Sequence, residues 1–172
     1  MSLKRNILYA VLWQLAWFAA VIPAGKGLPW VGLLATIPVI LVAGWGRWPR
    51  ALMVMAVSFV VGLAVDAALG FSGMSNYPGG MFDGRLSPPW MWVLWLQLGL
   101  ALDLCLAWLR PRPWLAMLFG LLGAPGAYLG GVAFGAMLAP QGKVALGIAV
   151  GLAYAIAVPL LIRLTRCPPS SS

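Results

Sequence analysis

A chain of 172 residues suffices for one domain, and its composition excludes a water-soluble one. Apolar residues make up 63% and charged residues 8%, against about 45–50% and about 25% in soluble domains, and a small globule has nowhere to hide that much apolar surface. The net charge of +8 sits in short clusters between apolar runs, the pattern that orients membrane proteins; no basic stripe interleaved with aromatics points to nucleic acid.

A helix that crosses a bilayer needs about 20 mostly apolar residues, because it rises about 1.5 Å per residue through a core of about 30 Å. Six runs qualify: residues 5–22, 27–44, 51–70, 88–109, 113–136 and 144–164. The sequence therefore predicts an all-α integral membrane protein, one polytopic domain over 1–172 with about six transmembrane helices and a short disordered tail at 167–172. With the N-terminus in the cytoplasm, the inner segments carry Lys4, Arg5, Arg47, Arg50, Arg110, Arg112, Arg163 and Arg166, and the outer loops only Lys26, Arg85 and Lys143. This bias places both termini in the cytoplasm.

Helix punctuation agrees with these boundaries. Pro88, Pro89 and Pro113 open runs four and five, where a missing N–H costs nothing. Trp30, Trp45, Trp48, Trp90, Trp92 and Trp114 fall near run ends, where an indole can anchor at the headgroups. The fifth run is rich in glycine, with Gly123, Gly126 and Gly130 expected to let a neighbouring backbone approach closely.

Histidine is absent, the only acids are Asp66, Asp83 and Asp103, and two cysteines, Cys105 and Cys167, show no ligand spacing. That leaves no basis for haem–His, zinc–His or His-relay chemistry. No metal and no cofactor are expected, and the balance is against an enzyme.

A carboxylate within hydrocarbon needs a partner, a proton or water. Asp66 shares a face of run three with Ser58, Gly62 and Gly70, and that polar, small face should point inward. Two readings of Asp66 stay open: a helix-end acid paired with Arg85 or hydrated, or the centre of a site. The ligand-binding candidates are Asp66, Ser58 and, from the long outer loop 71–87, Tyr77, Asp83 and Arg85; that loop is a lid or a binding surface, or else a floppy connector. Asp103 is likewise open to two readings, a site candidate or a structural bridge to a neighbouring arginine or amide. Asn6 and Gln14, with Asp103, are the other intramembrane polar residues and are expected to hydrogen-bond between helices.

The run 14–18, Gly62 four residues before Asp66, Pro88-Pro89-Trp90 with Leu94-Trp95, Trp108-Leu109, and 123–128 occur in an order that resembles the family called domain of unknown function 2878, small bacterial inner-membrane proteins. The resemblance covers nearly the whole chain and implies a multi-pass location in the bacterial inner membrane, with no assigned activity. Asp66 and the Pro-Pro-Trp segment match its pattern; Asp103 does not obviously do so.

The sequence thus predicts a non-enzymatic membrane component. Its expected partners are the lipid bilayer, a small apolar ligand or lipid, and a membrane partner subunit or a second copy in a homodimer. A small transport subunit, similar to the substrate-capturing subunit of an energy-coupling-factor transporter, is the alternative, and a lipid-modifying enzyme is the third reading.

Overall fold

The computed structural model describes residues 3–166, so the tail at 167–172, Cys167 included, lies outside the described residues. The chain runs through α1 (Leu3–Gly25), α2 (Trp30–Gly44), α3 (Trp48–Phe71), a single turn α4 (Met81–Gly84), α5 (Pro89–Asp103), a 3-10 turn (Ala107–Leu109), α6 (Pro113–Ala133) and α7 (Lys143–Leu164). Among the described residues there is no β-strand. Four helices, α1, α3, α6 and α7, are long and apolar enough to cross a membrane.

Local chemistry sets the helix ends. Proline occupies the first turn of α3, α5 and α6, where it removes no internal hydrogen bond. Helix α6 stops at Ala133 rather than at 136, because Gly135 takes a φ of 77°. That conformation lets Gly135 N–H donate to Val132 O and Ala136 N–H to Gly131 O, the paired bonds of a Schellman cap.

Two further runs are also shorter than predicted. Helix α2 has 15 residues and so does α5. The predicted run 88–109 breaks after Asp103: Leu104 leaves helical geometry and Leu106 N–H donates back to Ala101 O at 2.8 Å. The turn returns Arg110 to Asp103 as an ion pair, and the charge attraction there replaces the bonds of the last helical turn.

The helices pack mainly as neighbours: α6 on α7, α1 on α2, α3 on α5, with α5 also meeting α1 and α2. Two apolar cores result. One gathers Trp90, Trp95, Tyr128, Val150 and Val158, and the other Tyr9, Val39, Met55 and Leu100. Apolar side chains such as Ile7, Leu34, Val60, Leu122 and Ile156 remain exposed around the bundle, as a lipid-facing surface requires. Trp30, Trp45, Trp48 and Trp114 are exposed, but Trp90 is buried in the first core and is not an interface anchor.

The glycine face of α6 divides into two kinds of position. A side chain at Gly120 would collide with Tyr154 O, and one at Gly130 would press on the Trp17 ring. At Gly123 and Gly126 nothing lies within 4 Å of where a Cβ would be. The expected backbone packing at Gly123 and Gly126 is therefore absent, because that part of the helix faces a cavity.

Candidate functional site

Asp66 is fully buried near the end of α3. Its Oδ1 accepts hydrogen bonds from Tyr128 Oη at 2.5 Å and Tyr77 Oη at 3.3 Å, and its Oδ2 accepts from Trp95 Nε1 at 3.1 Å. The two phenols and the indole come from α6, the loop and α5, so one carboxylate ties three segments to α3. Gly62, one helical turn before Asp66, makes room for the Trp95 ring, which any side chain there would strike. Trp95 in turn stacks on Tyr154 of α7, with centroids 4.8 Å apart and planes 25° apart.

Tyr154 completes the network, its Oη 3.2 Å from Tyr128 Oη. Three of the chain's four tyrosines therefore converge on this acid. The proton bookkeeping is constrained. A phenol has one proton, and Tyr128 gives its own to Asp66, so Tyr154 donates to Tyr128. The Tyr154 oxygen is then left as an acceptor.

The loop 71–87 is built rather than floppy. Asn76 and Leu138 exchange backbone bonds of 3.0 and 2.7 Å, Tyr77 N–H donates to Gly84 O at 2.8 Å, and Asn76 Nδ2 donates to Asp83 O at 2.7 Å. Gly84, with φ of 80°, is required where its backbone meets Tyr77 and Asn76: a Cβ would lie 2.6 Å from Tyr77 O. These contacts press Tyr77 inward until it is fully buried. Burial, with the Asp66 charge beside it, pushes the Tyr77 phenol well above its ordinary value, which keeps it protonated and a donor.

Of the sequence-derived candidates, only Asp66 and Tyr77 meet. Ser58 is buried two turns earlier on α3 against Gly99, and its Oγ has no hydrogen-bond partner among the described residues. Asp83 and Arg85 lie exposed on the outer side of the loop. The expected pairing of Asp66 with Arg85 does not form: Asp66 has neutral donors instead, which compensate a buried charge without burying a second one.

Beside this network lies a cavity of about 480 Å³, inside the range of about 300–1,000 Å³ usual for small-molecule sites. Helices α1, α5, α6 and α7 enclose it, and Trp95, Tyr128 and Tyr154 form part of its wall. Trp13, Trp17, Trp90 and Phe119 make the rest largely aromatic. Gln14, Gly123 and Gly126 line it and are exposed, so it opens between α1 and α6. Gln14 is thus a wall residue and not the interhelical tie it was expected to be. Asn6 is half-buried, and its Oδ1 has no hydrogen-bond partner among the described residues.

At the other end of α3, Asp103 is held by Arg47, Arg50 and Arg110, with Arg50 Nε at 3.0 Å and Nη2 at 2.6 Å from Oδ1. Arg50 also donates to Thr165 O, and Arg166 to Arg110 O at 2.6 Å. Burial and the neighbouring Arg5, Arg50 and Arg110 lower the Arg47 pKa. The expected bridge from Asp103 to an arginine is present, and it is threefold. Some 16 residues of α3 separate Arg50 from Asp66, about 24 Å by helical rise, so the two acids belong to separate centres.

Sequence reasoning missed Trp95, Tyr128 and Tyr154 as partners of Asp66. A buried tyrosine hydroxyl generally needs a partner. In a chain this short of acceptors, tyrosines at mid-helix and one carboxylate outside the arginine clusters were the available signal. Among the described residues no cluster of acids and cysteines could hold a metal ion.

Comparison with curated proteins and with solved structures finds no match. The family model described as Protein of unknown function (DUF2878) matches residues 6–160, nearly the whole chain, and the protein belongs to that family.

Proposed function

We propose that this is a non-enzymatic multi-pass protein of a bacterial inner membrane that holds a small apolar molecule in the cavity between α1 and α6. The observation that carries the reading is that cavity: largely aromatic, open on the side where apolar side chains face lipid, and ending on Tyr154. Because Tyr154 donates inward to Tyr128, it presents an acceptor. The ligand class that fits is an apolar chain or ring bearing one hydrogen-bond donor, such as an alcohol.

The test uses a long-chain alcohol and the matching alkane, with binding followed by fluorescence of the cavity tryptophans. One net hydrogen bond of about 0.5–1.5 kcal/mol should favour the alcohol about fivefold, and Tyr154→Phe should abolish that preference while leaving alkane binding in place. Equal affinity of the wild type for both probes would overturn the reading. Gly126→Leu should fill the mouth of the cavity and abolish binding with little change in thermal stability. Gly120→Leu, which meets the α7 backbone, should lower stability instead. If Gly126→Leu bound both probes normally, the ligand would sit elsewhere.

The same proposal includes six crossings with both ends on the cytoplasmic side. Helices α2 and α5, at 15 residues each, rise about 22 Å and would cross with help from the residues that flank them. Reporter fusions at Arg47 and Arg110 should read cytoplasmic, and fusions near Tyr77 external. A cytoplasmic signal at Tyr77 would refute the topology.

A further inference from the structure

The arginine-rich end of the bundle holds a second site with its own chemistry, independent of the cavity between α1 and α6. A pocket of about 610 Å³ is lined by Arg47, Arg50, Arg110 and Arg166 around Asp103. Three of these guanidiniums pair with the one carboxylate and Arg166 does not, so the pocket keeps a surplus of three positive charges. An adjoining cavity of about 540 Å³ shares Arg110 and Arg166 with it and adds Arg163. Its remaining wall is apolar, formed by Pro113 and Ala116 at the start of α6 and Pro159, Leu160 and Ile162 near the end of α7. Arg163 and Arg166 are exposed at its rim, and the Arg163 guanidinium has no hydrogen bond or ion pair among the described residues.

A basic pocket that continues into an apolar groove matches one kind of molecule in its surroundings: an anionic phospholipid. Guanidinium forks suit phosphate oxygens, and basic pockets between membrane helices are a recurrent headgroup site. We propose that an anionic phospholipid binds here, its phosphate held between Arg110, Arg163 and Arg166 and one acyl chain laid along Pro113, Ala116, Pro159 and Leu160. Charge complementarity selects this occupant over a zwitterionic lipid. The apolar groove selects it over a free anion.

The test is native mass spectrometry of the full chain, purified in detergent and offered phosphatidylglycerol or phosphatidylcholine with identical acyl chains. Phosphatidylglycerol should be retained in preference. At about 1 kcal/mol per basic residue, the double variant Arg163→Gln/Arg166→Gln should lower its retention about 30-fold. That variant leaves all three ion pairs of Asp103 in place, so an unchanged melting temperature separates loss of binding from loss of fold. Excess inorganic phosphate or glycerophosphoglycerol, which has the headgroup without the chains, should fail to displace the lipid. Equal retention of the two lipids, or an unaffected double variant, would overturn the proposal. Displacement by inorganic phosphate would overturn it in favour of a soluble anion.

Discussion

Asp66→Ala is expected to destabilise the protein by about 3–5 kcal/mol, read as a fall in the unfolding midpoint in detergent. The variant strands three buried donors at once, Tyr77 Oη, Tyr128 Oη and Trp95 Nε1, and an unsatisfied buried donor costs about 1–3 kcal/mol. The losses do not add in full, because Tyr128 can turn its proton to Tyr154. Asp66→Asn should cost less, about 1–3 kcal/mol. Its carbonyl oxygen can serve both tyrosines, but its amide then presents N–H to the Trp95 N–H. The loop should loosen with the site, since Tyr77 is its anchor, and proteolysis within 71–87 should accelerate. An Asp66→Ala protein as stable as the wild type, with an equally resistant loop, would mean that the network contributes nothing.

Asp103→Asn is expected to destabilise by about 3 kcal/mol at low salt, through a different force. Three guanidiniums converge on a carboxylate whose side chain is only 3% exposed, while their own exposures are 20%, 19% and 32%. Removing one partner of a buried pair costs about 3–5 kcal/mol, and the partial hydration of the arginines sets the lower end. The arginines would then repel one another across a distance that salt can screen. Raising the ionic strength should therefore recover much of the lost stability in Asp103→Asn and none in Asp66→Ala, whose partners are neutral. Equal salt responses in the two variants would refute this assignment of forces. The break after Asp103 rests on the same charges, so the variant should also let α5 lengthen toward Leu109, measurable as slower amide exchange at Leu104 and Leu106.

The membrane class and the anomalous standing of Asp66 and Asp103 were legible from the residues alone. Both follow from local chemistry: apolar composition has no aqueous fold to enter, and a carboxylate in an apolar run needs an explanation whatever surrounds it. The small face of α3 was legible too, since Gly62 and Asp66 lie one turn apart. What each acid binds was a different matter. Tyr128 stands 62 residues from Asp66, and a tyrosine in a membrane helix suits the core, the headgroup level or a pocket equally well. Only the packing of α6 and α7 against α3 and α5 chose among them. Glycine spacing on α6 showed that a small face exists, but not what it looks onto. Gly120 meets a backbone and Gly126 meets open space, because α6 follows α7 closely while barely touching α1. Residue chemistry determined which groups needed partners; the arrangement of the helices decided which partners they found and where a cavity was left between them.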